Sequence, residues 1–321
     1  MGRPIVVVGS YNVGLFIKGD RLPEKGETVI GHTFYEGAGG KGSNQALCTA
    51  KMGGRVYFVG CVGNDRYGDD ARLLYGKMGM SRDFLFVEEG IHSGISFVLI
   101  DGQGDNAIAV ALGANNRLTP AHIDKARSVI ASAAVLACQL EGPLDSFAYA
   151  LKTARDLGIT TLLDPAPARP LPEEVYRNTD LICPNESETE ILTGVRVDTL
   201  DSAARAGRIL LDRGVRSAIV KLGGRGCLYV TADRQQYFPA PKVNVVDVTG
   251  AGDAFAGGLM VALAEGMDIC RAIRFATCVA ALSVTKIGVV NALPTREEAD
   301  RLLAETSARR PMAAAPGQSE A

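Results

Sequence analysis

Short apolar runs alternate along this chain with longer segments of helical periodicity, and this alternation restricts the possible folds. The strand-like runs are IVVVG (5–9), VYFVGCV (56–62), AVLACQL (134–140), ITTLLD (159–164), LIC (181–183) and SAIVKLG (217–223). Helical patterns lie near residues 42–52, 67–78, 119–131, 145–157, 186–193, 201–213, 251–264 and 268–285. A β-α alternation of this kind builds parallel strands joined by crossover helices. We therefore predict an α/β fold, with an open, mostly parallel sheet and helices on both faces.

Two segments depart from this alternation. Residues 12–36 and 93–111 carry extended, hairpin-like patterns, and Asp101-Gly102 supplies turn residues in the second segment. We predict that they form a small β-sheet lid, inserted in one large domain that spans residues 1–306. Residues 307–321 have no periodicity, and they are predicted to be a disordered tail.

Charge and cysteine content exclude several classes of protein. A net charge of -2 gives no reason to expect nucleic acid or a membrane as a partner. The seven cysteines include no CxxC pair, which indicates reduced thiols and a cytoplasmic protein rather than disulfides or a zinc site. The three histidines have no metal-ligand spacing, so a histidine-based metal centre is not expected.

The most informative motif is VDVTGAGDAF at residues 246–255. Strand-like VNVVDV (243–248) leads into glycines, and helical periodicity begins directly after them. The glycines are therefore predicted at a helix N-terminus, where free N–H groups and the helix dipole favour an anion. The same field should keep Asp253 ionised in the first turn. An anion site beside a carboxylate suits phosphoryl transfer, although an ordinary acidic helix start has the same pattern.

A second glycine cluster, GAGGKGSNQA at residues 37–46, also opens a helix. It is not a Walker A loop, because Gly42 rather than Ser or Thr follows Lys41. Nor does GSYNVG at residues 9–14 match the GxGxxG pattern of dinucleotide-binding folds. The cluster indicates a loop of close backbone approach with Lys41 and Asn44 as polar groups. A tight turn with a surface lysine is the simpler alternative.

Together, the two glycine motifs resemble the signatures of the PfkB carbohydrate kinase family, and its ribokinase-like members most. Further segments follow in that family's order and spacing: GETVIG (26–31), GANNRLTP (113–120), QLEGPL (139–144), DPAPA (164–168), PNESE (184–188) and KLGGRG (221–226). The similarity covers roughly residues 4–306. It implies a sugar kinase that uses ATP and Mg²⁺ and forms a homodimer through its lid sheets.

The resemblance also assigns site residues. Asp253 matches the family's catalytic base, with Gly250, Ala251 and Gly252 as its anion hole. Sugar-binding positions correspond to Asn12, Gly39, Gly40, Lys41, Asn44 and Glu141. Nucleotide-side positions correspond to Asn185, Glu188, Lys221, Gly223, Gly224, Gly226, Gly252 and Thr277. Asn185 and Glu188 also fit a helix capping box, and both roles are compatible.

Ribokinase-like proteins bind a monovalent cation beside the anion hole, and the resemblance therefore implies K⁺ as a further cofactor. The matching positions here are Asp247, Thr249, Ser283, Lys286, Gly288 and Ala292. Several of them would act through backbone carbonyls, and Ala292 offers no side-chain oxygen.

One position departs from the family. Ribokinases have an aspartate two residues after the matching asparagine, where it binds sugar hydroxyls, but this chain has Asn12-Val13-Gly14. We expect more room at Gly14 and one hydroxyl acceptor fewer. Ribose should then be a poorer substrate than a compound that is bulkier or less polar at the matching hydroxyl. The acceptor could be another pentose, a tetrose, a ketose or a nucleoside, and a non-catalytic sugar- or nucleotide-binding module is the alternative from another class.

Overall fold

The structure, a computed structural model, describes residues 2–308. Its strands are β1 (Ile5–Val8), β2 (Asn12–Lys18), β3 (Thr33–Gly39), β4 (Val56–Gly63), β5 (Leu85–Glu88), β6 (Gly94–Ile100), β7 (Asn106–Ala111), β8 (Val135–Cys138), β9 (Thr160–Leu163), β10 (Leu181–Ile182), β11 (Ser217–Lys221), β12 (Cys227–Val230) and β13 (Gln235–Phe238). Its α-helices are α1 (Lys41–Lys51), α2 (Arg66–Lys77), α3 (Pro120–Lys125), α4 (Arg127–Ser132), α5 (Leu144–Asp156), α6 (Glu173–Arg177), α7 (Glu186–Thr193), α8 (Leu200–Asp212), α9 (Ala251–Ala264), α10 (Ile269–Ser283) and α11 (Arg296–Ala308).

The large sheet has nine strands in the order β13-β12-β11-β10-β9-β8-β1-β4-β5. Pairing is parallel from β11 to β5, and only the β11–β12 and β12–β13 pairs at one edge are antiparallel. Strand β1 lies inside the sheet, and all four of its residues are fully buried. A continuous apolar run is typical of a strand that is covered on both faces. The predicted open, mostly parallel sheet is confirmed.

Helices cover both faces of this sheet, as predicted. Successive residues of β1 point to opposite faces, so that Val7 belongs to one buried cluster and Val8 to the other. The first cluster takes side chains from α1, α2, α9, α10 and α11. The second takes them from α3, α4, α5, α6, α7 and α8. The crossover helices therefore pack in two layers with the sheet between them.

A separate four-stranded sheet, in the order β3-β2-β6-β7, forms the predicted lid. The hairpin between β6 and β7 turns through residues 101–105, where the Asp101 carboxylate accepts from the N–H groups of Gln103 and Asp105. Strand β3 continues to Gly39, beyond the predicted limit of residue 36. Helix α1 starts two residues later, so the lid is tied directly to the glycine-rich start of this helix.

We call the face of the lid that carries the Asn12 side chain its inner face. The Asn12 amide reaches the carboxylate of Glu141, in the loop that follows β8. Register places Gly14, Phe16 and Lys18 on this face, with Tyr35 of β3 directly opposite Phe16. The Asp247 charge contributes to the raised pKa of Tyr35, after burial of the phenol, so this face is near the loop before α9. The outer face carries the alternate residues, and it includes exposed Phe34 and Phe97.

Some predicted features differ in the structure. Residues 243–248 are not a strand: no neighbouring strand pairs with them, and the N–H groups of Val246 and Asp247 bond instead to the Val284 carbonyl. The helical pattern 119–131 is divided into α3 and α4 at Ala126. Helix α11 continues to Ala308, past the predicted limit of residue 306, and residues 309–321 of the predicted tail lie outside the described residues.

Two bulk predictions can be compared with the described residues. All seven cysteines are free thiols, and six of them are buried. None of the described helices combines the length and the apolar character that crossing a membrane requires.

Candidate active site

At the start of α1, the backbone at Gly40 passes very close to the backbone of residues 10–12. Gly40 has φ of 86°, and a Cβ there would lie 2.6 Å from the Asn12 nitrogen and 2.8 Å from the Ser10 carbonyl oxygen. Only glycine combines this backbone angle with so little space. The GAGGKG segment is therefore not a surface turn, because its glycines hold α1 against β2 and the loop before it.

The Glu141 carboxylate joins three segments at this point. Its Oε2 accepts from the Lys41 backbone N–H at 2.9 Å, from Asn12 Nδ2 at 3.4 Å and from the Ser10 hydroxyl. Among the described residues no hydrogen bond ends on Oε1. Asn12 is held in turn by Asn115, whose Nδ2 donates to Asn12 Oδ1 at 2.9 Å. Asn115 belongs to the GANN segment and was not among the predicted site residues.

Asp253 lies at the start of α9, where Gly250 adopts the left-handed conformation with φ of 77°. Its Oδ2 accepts from Asn44 Nδ2 at 2.9 Å, and its Oδ1 accepts from Gln45 Nε2 at 3.2 Å. Asn44, a predicted sugar-binding residue, is thus hydrogen-bonded to Asp253, the predicted base. The first N–H groups of α9, around Gly252, have no partner within the helix and can bind an anion.

The ionisation of Asp253 is not set by the helix field alone. Burial raises its pKa to about 6, the Asp164 carboxylate raises it too, and Lys41 with the bonds from Asn44 and Gln45 lowers it. The prediction that the helix dipole keeps this group ionised is therefore incomplete. At pH 7 most of the molecules carry the charged carboxylate, because the pKa remains below that pH.

An ion pair that the sequence did not predict lies beside Asp253. Lys221 Nζ donates to Asp164 Oδ1 at 2.8 Å, while Gln45 Nε2 donates to Asp164 Oδ2 at 2.8 Å. Burial opposes the charge of Lys221, but the Asp164 and Glu188 carboxylates and the hydrogen bond to Asp164 together outweigh it, and the pKa of the ammonium is raised. A Cβ on Gly252 would lie 3.3 Å from Lys221 Nζ, so this ammonium borders the predicted anion hole.

A signal for Asp164 was present in the sequence. An acid directly after a buried parallel strand points to the edge where α/β folds bind ligands. Asp164 follows β9 within DPAPA, but no role was predicted for it. Gln45 and Gln139 carried no such signal, although Gln139 Nε2 donates to Gln45 Oε1 at 2.6 Å. Their part in orienting both carboxylates follows only from the packing of α1 against β8.

A cavity of about 750 Å³ has Asp253 among its lining residues. All of the predicted nucleotide-side positions line it: Asn185, Glu188, Lys221, Gly223, Gly224, Gly226, Gly252 and Thr277. Gly250, Ala251, Lys41 and Asp164 line it as well. Residues from widely separated parts of the chain thus meet in one space that ends at the Asp253 carboxylate.

Asn185 and Glu188 form the capping box of α7. Asn185 Oδ1 accepts from the Glu188 N–H at 2.8 Å, and Glu188 Oε2 accepts from the Asn185 N–H at 2.7 Å. Burial raises the pKa of Glu188 despite the opposite effect of Lys221. The structural role is therefore present, and the carboxylate still lines the cavity.

The predicted cation positions lie around Asp247, whose carboxylate accepts from the N–H groups of Thr249 and Gly288, each at 2.9 Å. Ser283 Oγ donates to the Ala280 carbonyl, and Ala292 is buried. The Lys286 ammonium is 3.7 Å from a Glu298 oxygen on α11. These side chains bond mainly within the protein, so a cation here would need backbone carbonyls as ligands.

One cluster elsewhere has metal-ligating side chains. Ligand atoms of Cys61, Glu88 and His122 lie within 4.8 Å of one another. His122 Nδ1, however, accepts from the Thr119 N–H at 3.2 Å at the start of α3, while Nε2 is 3.5 Å from Glu88. The imidazole therefore serves a helix cap, and the cluster is remote from the cavity beside Asp253.

The expectation of extra room at Gly14 is wrong. A Cβ on Gly14 would lie 2.5 Å from Phe16 Cε2 and 2.8 Å from Phe16 Cζ. The Phe16 ring thus occupies the space that a side chain at residue 14 would need. Residue 14 therefore offers the inner face of the lid neither a side-chain hydroxyl acceptor nor extra volume.

Comparison with known proteins agrees with this arrangement. The family model described as pfkB family carbohydrate kinase matches residues 3–296. The chain is 34% identical over 298 residues to a ribokinase of Haemophilus influenzae, covering 93% of this chain and 97% of that protein. It is 35% identical over 300 residues to a deoxyribokinase of Salmonella typhi, covering 93% and 98%.

Solved structures give the same result. The structure of Arabidopsis thaliana ribokinase complexed with ribose and ATP superposes with a TM-score of 0.89 at 32% identity, covering 94% of this chain and 99% of that one. A ribokinase of Thermotoga maritima gives 0.85 at 35% identity, covering 95% and 100%. The chain therefore belongs to the PfkB family of carbohydrate kinases, as a ribokinase-like phosphotransferase that acts on an alcohol group of a sugar.

Proposed function

We propose that this enzyme transfers the γ-phosphate of ATP to a hydroxyl of a pentose or related small sugar, with Asp253 as the general base. One observation carries the proposal: the Asp253 carboxylate lines the cavity and also bonds to Asn44 of α1, the helix whose first N–H group bonds to Glu141. The cavity contains the glycine loop 223–226. At the start of α1, Asn12 and Glu141 offer hydrogen-bonding groups for sugar hydroxyls, and Lys41 borders both regions.

The relatives support this assignment of the two regions. The Arabidopsis ribokinase was solved in complex with both ribose and ATP, and a ribokinase of Cryptococcus neoformans was solved with ADP. In the proposed arrangement the nucleotide lies in the 750 Å³ cavity with its terminal phosphate at Gly252. The sugar lies between Glu141 and Asp253, beneath the lid.

The chain's own groups account for the chemistry of this step. Asp253 accepts the proton of the attacking hydroxyl while Asn44 and Gln45 keep its carboxylate oriented. The N–H groups at the start of α9 and the Lys221 ammonium stabilise charge on the transferred group. The lid excludes water, so that the sugar receives the phosphoryl group.

Magnesium fits the acidic edge of the cavity. Glu188 and Asp164 both line it, and carboxylate oxygens bind hard cations such as Mg²⁺. When bound, the ion would neutralise charge on the phosphate oxygens, with most of its coordination sites taken by phosphate and water. These two carboxylates would orient it through that water shell.

The first prediction concerns the base. Asp253→Asn should retain binding of ATP and sugar but lower turnover by at least ~10²-fold, because the amide cannot accept the proton. Coupled ADP-release kinetics and calorimetric titration of both ligands measure the two effects. Asp201→Asn is the matched control, since Asp201 is an exposed acid in the first turn of α8. A variant with near wild-type turnover would show that Asp253 is not the base.

The second prediction follows from the pKa of about 6 for Asp253. This pKa is raised, so the active carboxylate form is lost as pH falls through that value, and turnover should fall with it. Asp164→Asn removes a charge that raises the pKa of Asp253, and it should move this acidic limb of the pH profile of turnover to lower pH. Lys41→Met removes a charge that lowers the pKa and should move it to higher pH.

The measurement is turnover against pH at saturating ATP and acceptor for each variant. Asp69→Asn, at an exposed acid on α2, should leave the limb in place. Differences between variants remove the contribution of titration by ATP itself. If Asp164→Asn and Lys41→Met move the limb in the same direction, or not at all, the group that titrates is not Asp253.

The third prediction concerns K⁺, which we place at the carbonyl groups around Asp247, Ser283 and Gly288. Replacing Na⁺ by K⁺ at constant ionic strength should raise turnover, because the cation would order the loop that leads into the anion hole. Thermal unfolding in both salts is the control, and the protein should be fully folded at the assay temperature in each. Identical kinetics in the two salts would argue against a functional cation.

The fourth prediction concerns assembly. We propose a homodimer through the outer face of the lid, where Phe34 is 60% exposed and Phe97 is 50% exposed. Apolar patches of this kind mark interaction surfaces. Phe34→Asp and Phe97→Asp should each convert a dimer into a monomer by light scattering. Ile191→Asp, at a 60% exposed apolar side chain on α7, should remain a dimer. A wild-type protein that is monomeric at micromolar concentration would contradict this interface.

A further inference from the structure

We propose that Phe16 is a specificity residue that forms an apolar wall of the acceptor pocket, so that the preferred sugar presents a C–H group rather than a hydroxyl to Gly14. The preferred substrate class is then a deoxypentose. This inference rests on the proposed kinase function, since it concerns the sugar side of the same site.

The ring of Phe16 covers a pair of glycines. Gly14 lies directly opposite Gly37 across the β2–β3 pair. A Cβ on Gly14 would lie 2.5 Å from Phe16 Cε2, and one on Gly37 would lie 3.8 Å from the same atom. The ring therefore lies over two backbone positions that carry no side chain. It supplies the surface that a side chain at residue 14 would otherwise provide.

The position of this ring is fixed by its neighbours. Phe16 stacks on Tyr35, with ring centroids 4.6 Å apart and an angle of 4° between the planes. The Lys18 ammonium lies 6.0 Å from the centroid of the Tyr35 ring. Cross-strand aromatic pairs stabilise a sheet and hold each ring in place. A side chain added at Gly14 would have to displace Phe16 from this stack.

The wall lies on the inner face of the lid. Phe16 shares that face with Asn12, whose amide reaches Glu141. Residues in register across the four strands form rows on this face, and the row of Phe16 contains Val98 of β6 and Ile108 of β7. The row of Gly14 carries Ser96 and Val110, so Ser96 is the one hydroxyl that β6 and β7 add to these two rows. The inner face is thus polar at Asn12, mainly apolar in the rows of Gly14 and Phe16, and polar again at Lys18.

Such a division favours a sugar with hydroxyls at one end and a C–H edge at the other. A hydroxyl against the Phe16 ring would lose its hydrogen bonds to water without a replacement. The discrimination should be about tenfold to a hundredfold, the range for one group in an apolar pocket. A bulkier acceptor is disfavoured as well, because the ring already fills the space above Gly14.

The test compares kcat/KM for D-ribose, 2-deoxy-D-ribose, 3-deoxy-D-ribose and adenosine. Wild type should prefer one of the deoxypentoses over ribose by about tenfold or more. Phe16→Ala should reduce that ratio to near unity, and Phe16→Leu, which keeps an apolar side chain, should largely preserve it. Gly14→Asp with Phe16→Ala should reverse the preference, because the carboxylate then has space and can accept from the hydroxyl. Leu73→Ala, at an exposed side chain of α2, is the control for truncation outside the lid.

The outcomes separate the two proposals. If wild type phosphorylates no sugar and no nucleoside, the proposed kinase function is wrong, and so is the proposed role of Phe16. If wild type phosphorylates ribose as well as it does either deoxypentose, and Phe16→Ala leaves the ratio unchanged, only the wall is overturned. A preference for adenosine that Phe16→Ala abolishes would also overturn it, because the ring would then be a platform for a nucleobase.

Discussion

The contact between α1 and α9 is the interaction on which the candidate site depends. At Gly257 a Cβ would lie 2.6 Å from the Cβ of Cys48 and 3.0 Å from the Gln45 carbonyl oxygen, so only a residue without a side chain allows this approach. The contact places Asn44 and Gln45 within hydrogen-bonding distance of Asp253, which is more than 200 residues away in the sequence. Both helices start at glycines with positive φ. The proposed anion hole and acceptor site are therefore held at a fixed separation by a buried, close-packed pair of helices.

Around this helix pair, buried charged side chains bond to opposite charges or to neutral hydrogen-bond donors. Asp253 and Asp164 share Gln45 as a donor, and the Asp164 carboxylate opposes the ionisation of Asp253. Lys221 bonds to Asp164, and Lys41 acts on both carboxylates from the acceptor side. Isolated buried charges are costly, but paired and hydrogen-bonded ones persist. The balance leaves Asp253 with a pKa of about 6, which suits its proposed role as a general base near neutral pH.

The lid combines two surfaces on one thin sheet. Because alternate residues of a strand point to opposite faces, a side chain at residue 14 would change only the inner face. Phe16, two residues on, covers the position from the same face. The outer face keeps its own apolar residues, Phe34 and Phe97. With the roles proposed for the two faces, acceptor preference and assembly could change independently within the same four strands.

The sequence by itself determined the α/β fold and the separate lid, and only the family resemblance carried by the two glycine motifs assigned both to one site. Periodicity and helix-start glycines are local signals, and the predicted strands and the bounds of α7 and α9 follow from them. Tertiary structure alone decided which side chains bond to Asp253, the Asp164–Lys221 pair and the position of the Phe16 ring over Gly14. It also showed that 243–248 lacks a partner strand. Contacts between residues far apart in the sequence depend on how elements pack, and burial and close approach, which set the pKa of Asp253 and the space at Gly14, arise only from that packing.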